Sequence, residues 1–141
     1  MLAGQWTYRS YRNDPSLVGD DADKALSLIF GEGVMRFTPS GSAAFEGQLD
    51  MGGGYLMNLI GEISGEAGAP PGEILIVGTV VDGSPTAGWR YDYRCRPAFL
   101  WPDGVDQVPS LVGTVLRVKP HGPQSPAGVT ASFIAVSHGD G

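Results

Sequence analysis

The segment Trp89-Arg90-Tyr91-Asp92-Tyr93-Arg94-Cys95-Arg96 carries the densest chemistry in the chain and its cleanest alternation. Successive side chains of a strand point to opposite faces. Trp89, Tyr91, Tyr93 and Cys95 therefore share one side, and Arg90, Asp92, Arg94 and Arg96 the other. Rings bearing phenolic hydroxyls suit a small-molecule pocket, because an apolar wall can then also orient a ligand. The same rings could equally fill a core, and the charged side reads as solvated surface. His121, in Pro120-His121-Gly122-Pro123, is one of 2 histidines and of a type that titrates near neutral pH. The strand-like segments also carry Glu46, Asp50, Glu62 and Asp92. One of these paired with Tyr91, Tyr93 or His121 could serve as acid or base. Glu62, Asp92 and His121 are thus the catalytic candidates. Glu62 shares a face with Leu56, Asn58 and Ile60, opposite the equally apolar Tyr55, Met57 and Leu59, so parity leaves its direction open.

Strands must position these groups. Period-2 alternation between turn residues predicts strands near 4–10, 25–37, 43–50, 54–63, 73–82, 87–97, 110–119 and 128–137. Residues 38–42 and 51–54 read as tight hairpin turns. The longer connections are 11–24, 64–72, 98–109 and 120–127, with room in 14–24 for a turn or two of helix. Gly31-Glu32-Gly33 interrupts its strand without a helix behind it, which fits a bulge better than a phosphate loop. Eight antiparallel strands in sequence close into an up-and-down barrel, which removes free edges and leaves an interior either filled or able to hold one small ligand. The fold expected is all-β, a single eight-stranded antiparallel barrel over residues 1–141.

Composition narrows the classes. A net charge of −6 argues against nucleic acid, which needs a basic face. The 22 glycines and 11 prolines fall between apolar runs and punctuate strands, whereas a disordered tract would lack those runs. Asp14, Asp20, Asp21 and Asp23 read as a solvated loop, since calcium ligands need a more regular spacing. One cysteine, Cys95, and 2 histidines provide neither a disulfide framework nor a transition-metal set, so no metal or cofactor is expected. Dinucleotide, phosphate-loop, zinc-protease and nucleophile-elbow motifs are absent. Without a signal-type start or a long apolar run, a soluble cytoplasmic protein of bacterial type with no membrane partner is expected.

The opening Gly4-Gln5-Trp6, read with Arg117 on the penultimate strand, resembles the calycin superfamily of lipocalins, fatty-acid-binding proteins and avidin-like barrels. Gly41-Ser42-Ala43-Ala44-Phe45-Glu46-Gly47-Gln48-Leu49 is similar to the second hairpin of the avidin-like group, and Tyr91-Asp92-Tyr93 resembles a lipocalin signature. The resemblance implies a barrel that contains a small molecule, with Trp6 plugging the closed end, Arg117 packed across its indole and Tyr8 one layer higher. Such a cation–π pair contributes about 0.5–2 kcal/mol. Tyr8 stands where avidin-like proteins carry a polar ligand-binding residue, so biotin is not implied. Arg117 shares a strand face with Val115 and Lys119, opposite Val112, Thr114, Leu116 and Val118, which suits an arginine crossing the barrel end from outside.

Three functions remain. The first is binding of a small, mostly apolar molecule in a cavity lined by Trp6, Tyr8, Trp89, Tyr91 and Tyr93, with Trp101 in the 98–109 loop as part of a lid. The second is a barrel enzyme of isomerase, cyclase or hydratase type using a carboxylate or tyrosine for proton transfer. The third is a packed barrel acting as an assembly domain. The strands at 54–63, 73–82 and 128–137 are apolar on both sides, so a second copy is expected to cover the outer face in a homodimer or larger assembly.

Overall fold

The computed structural model describes residues 2–14, 16, 19–65 and 72–139. Parts of two predicted connections, 15, 17 and 18 in the first and 66–71 in the second, lie outside them. Eight strands form one closed barrel in sequence order: β1 (Gly4–Arg12), β2 (Ile29–Pro39), β3 (Ala44–Asp50), β4 (Leu56–Ile63), β5 (Ile74–Val80), β6 (Arg90–Pro97), β7 (Ser110–Arg117) and β8 (Thr130–Ser137). Every neighbouring pair is antiparallel, and β8 closes on β1 from Trp6↔Ser137 to Arg12↔Ala131. All eight overlap predicted segments, with β1 running past 10 to Arg12 and β2 taking Thr38 and Pro39 from the expected 38–42 turn. No described helix is long and apolar enough to cross a membrane.

Local chemistry sets the boundaries. A 3-10 helix, Ala22–Leu28, occupies residues expected to begin β2, and Asp21 caps it by accepting from the Asp23 amide. Asp14 likewise accepts from Ser16, so two of the four loop acids have local structural roles. The β3–β4 turn, closed by Met51 N–H to the Tyr55 carbonyl at 2.9 Å, contains Gly52, Gly53 and Gly54, all at positive φ that side chains rarely adopt. On β2 the register slips between Gly31, opposite Ser10, and Ile29, opposite Tyr11. The bulge therefore falls on Phe30, one residue before the glycine-rich stretch, and re-aims its ring towards Tyr91 at 5.9 Å.

The barrel has two distinct ends. At one lie Trp6, Phe37, Phe45, Ile74, Cys95 and Leu111, all buried. Phe37 meets Phe45 edge-on at 5.1 Å and Trp6 at 6.4 Å, while Trp6 Nε1 donates to the Ala3 carbonyl. The Phe45 ring covers Gly61, its cross-strand partner, where any Cβ would collide with it. Midway, Tyr8, Met35, Leu49, Met57, Leu59, Ile76, Tyr93, Val115 and Phe133 fill the interior. At the other end lie Ser10, Phe30, Tyr91 and Arg117.

Candidate functional site

The polar end of the barrel is built on β6, β7 and two loops. Trp89 precedes β6, held by its amide to the Thr86 carbonyl at 2.9 Å. Thr86, fully buried, anchors that loop to β4 by donating to the Leu56 carbonyl at 2.7 Å. His121 lies in the β7–β8 loop, whose turn is closed by His121 N–H to the Ser125 carbonyl and Ser125 N–H to the Gly122 carbonyl. The imidazole stacks on Trp89 at 4.1 Å, and Tyr55 stacks on the same indole at 5.8 Å. Tyr91 Oη and His121 Nε2 are 2.6 Å apart. Arg117 Nε donates to Tyr91 Oη at 3.3 Å, and Nη1 to the Pro126 carbonyl at 3.3 Å. Its guanidinium carbon lies 4.8 Å from the Phe30 ring centre.

Arg117 is a donor only, so Tyr91 Oη accepts from its Nε. The phenol also shares a hydrogen bond with His121 Nε2, whose direction follows the imidazole tautomer. Partial burial, and secondarily the charge of Arg117, hold the His121 pKa below its ordinary value, so the ring is neutral at neutral pH. Beneath this cluster the Tyr8 ring meets Tyr93 edge-on at 6.0 Å, on the strand face it shares with Ser10. Burial pushes both phenols above their usual range. They can orient a ligand or a water, but neither ionises near neutral pH.

The interior is nearly full. The cavity bounded by Tyr8, Phe30, Gly31, Leu49, Met51, Tyr91 and Tyr93 holds about 30 Å³, room for little more than one water. A pocket for a drug-sized molecule is on the order of 300–1,000 Å³. The larger concavities lie on the outside. One of about 380 Å³ runs along Leu75, Val77, Asp92, Arg94, Thr114, Leu116 and Thr130. A second, of about 450 Å³, involves Thr38, Glu46, Asn58, Ile60 and Thr79.

Of the residues singled out from the sequence, Tyr8, Tyr91 and Tyr93 face inward, Trp89 flanks them, and His121 joins Tyr91 and Trp89. Arg117 joins the same cluster, whereas Trp6, Glu62, Asp92 and Trp101 do not. Trp6 and Arg117 sit at opposite ends, because β1 begins where β7 begins and Arg117 closes β7. The expected stacked pair is not formed, and Arg117 packs on Phe30 and Tyr91 instead. Arg117 also lies on the inward face of β7 with Leu111 and Val115, which corrects its assignment as an arginine reaching in from outside. Glu62 points outward beside exposed Ile60, as inward Met57, Leu59 and Gly61 require. Asp92 is also outward, paired with Arg90. Neither carboxylate reaches Tyr91 or His121. Trp101, 69% exposed, packs edge-on to Phe99 in a loop at the Trp6 end. The 98–109 and 120–127 loops therefore cap opposite ends and do not form one mouth.

Phe30, Tyr55 and Thr86 complete the cluster without having been anticipated. Phe30 was hidden by the bulge that reverses its parity. Tyr55 and Thr86 sit in turns, where alternation gives no direction. No family model, curated protein or solved structure matches the chain.

Proposed function

We propose that this protein is a calycin-like barrel that binds a small, mostly apolar molecule at its Arg117 end, beneath the β7–β8 loop. The closed antiparallel barrel supports the kinship, and the missing Trp6–Arg117 stack counts against it. The observation that carries the binding reading is the meeting at one end of an interior cavity, a ring of aromatics and three hydrogen-bonding groups, Tyr91, His121 and Arg117. In the closed form the loop fills its own site, with the imidazole on the indole face that a planar ligand would take. Binding requires that the loop lift, exposing Trp89 and Tyr91 and enlarging the 30 Å³ cavity.

Native mass spectrometry with solvent extraction tests this reading. A co-purifying organic compound, lost together with its mass shift in Trp89→Ala, is the expected result. A clean apo-protein that no apolar ring compound perturbs at Trp89 fluorescence overturns it.

A second reading is favoured by the outer surface. Ile60, Val112, Leu116 and Ile134 are exposed on the outward faces of β4, β7 and β8, and the packed interior leaves the barrel able to serve as a scaffold. On this reading two copies associate through those faces. Sedimentation of the full chain at micromolar concentration tests it, and a monomer rejects it.

A further inference from the structure

The binding reading leaves the ligand's chemistry open, and Arg117 restricts it. Arg117 is 7% exposed. A guanidinium has five N–H donors, and its strongest partner is a carboxylate or another oxyanion held bidentately. Here its side-chain partners are neutral and distant, Tyr91 Oη and the Pro126 carbonyl, both at 3.3 Å. Nη2 makes no hydrogen bond among the described residues. No sealed side-chain nitrogen or oxygen lacks a partner among them, so that edge of the guanidinium keeps its access to water. The chain has 15 acidic residues. The three ion pairs among the described residues join Arg9 to Glu32, Arg90 to Asp92 and Arg94 to Glu73, all on the outer surface. The buried arginine has none.

A structural role alone explains this poorly. Holding the Pro126 carbonyl needs one neutral donor, and packing on Phe30 needs only an apolar side chain. A buried cation without a counter-charge carries a large desolvation cost, which an arriving anion would offset. The two loop groups already in place mark two halves of a ligand: the imidazole covers the indole, and the Pro126 carbonyl lies against the guanidinium.

Resting on the binding reading, we infer that the molecule bound at the Arg117 end is an organic anion, an apolar ring skeleton bearing one carboxylate- or sulfonate-like group that replaces the Pro126 carbonyl on Arg117. The ring takes the Trp89 face that His121 vacates, and Tyr91 Oη offers the anion a second donor.

Two dyes with one skeleton test the assignment on the full chain: 8-anilinonaphthalene-1-sulfonate, an anion, and N-phenyl-1-naphthylamine, which is neutral. The sulfonate should bind about tenfold more tightly or better, the usual advantage of a charge-assisted hydrogen bond. It should also shift the Arg117, Gly128 and Val129 amide resonances and the Arg117 Nε signal. In Arg117→Met the preference should vanish while the neutral dye still binds. Should that variant fail to fold, the Arg117 Nε shift in the unaltered protein decides the matter. Equal binding of both dyes overturns the anion assignment and leaves the binding reading standing, as does a sulfonate preference that survives in Arg117→Met or leaves Arg117 Nε unmoved. Failure of both dyes to bind overturns the two together.

Discussion

The two ends of the barrel solve the same closure problem with opposite chemistry. At the Trp6 end, Trp6, Phe37 and Phe45 interlock edge-to-face, Phe45 lies over Gly61, and the buried Cys95 thiol is pushed up to about 12, so it is inert. Every group there is explained by packing. At the Arg117 end the layer contains a cation, a phenol and an imidazole linked in sequence, and the loop above reaches them with side-chain and carbonyl contacts. Packing does not require those groups. The difference teaches where stability and function separate: one end holds the barrel shut, and the other holds polar groups that the fold could do without.

Substitutions should expose that separation. The largest loss is expected for Phe45→Ala, which deletes a fully buried ring and uncovers Gly61. About 3–5 kcal/mol of stability should disappear, read by urea denaturation, with dye binding at the far end unchanged at temperatures where the variant is folded. Arg117→Met should cost less than about 1.5 kcal/mol, because removing a buried charge that lacks a counter-ion relieves desolvation while the methionine keeps contact with Phe30. A loss as large as that of Phe45→Ala would make Arg117 a structural plug and erase the contrast. Tyr91→Phe should cost about 0.5–1.5 kcal/mol, one hydrogen-bonded hydroxyl, and should free the His121 loop, seen as faster amide exchange at His121 and Ser125.

Legibility followed the same divide. Alternation on β1 and β6 placed Trp6, Tyr8, Tyr91 and Tyr93 on faces that do turn inward, because a filled barrel enforces strict period-2 order in its strands. It failed where that order breaks or is symmetric. The bulge at Phe30 reversed parity, and two-sided apolarity on β4 left the direction of Glu62 open. On β7 the polar character of Arg117 outweighed a pattern in which glycine and two aliphatic residues face inward before it. Which loops share an end follows from strand direction alone: odd connections lie at the Arg117 end and even ones at the Trp6 end. Counting from β1 would have separated Trp101 from His121.

The smallest expected effect is a pH dependence confined to the Arg117 end. His121 is held below its ordinary pKa, first by burial and then by Arg117, whereas the unfolded chain titrates its histidines near about 6.5. On acidification the unfolded state takes up the His121 proton first. The stability that rests on a neutral His121 is therefore complete above the unfolded pKa, shrinks as pH falls through it, and is fully lost below the folded pKa. Tyr91, Trp89 and Arg117 face the ring, no carboxylate among the described residues pairs with it, and the hydrogen bond to its own backbone that favours the charged form is outweighed by burial and Arg117. Protonation also makes Nε2 a donor, so the Tyr91–His121 hydrogen bond, where Nε2 accepts in it, is lost and the contact beside Trp89 should rearrange. Between about pH 7.5 and 5.5, a range in which histidine is the side chain that titrates, melting temperature should fall and Trp89 emission should change with one midpoint below 6.5. Both responses should be absent in His121→Gln, whose amide keeps the turn without titrating. A midpoint above 6.5 would mean that an anion already faces the ring, and the Arg117 end would then have its counter-charge without any ligand.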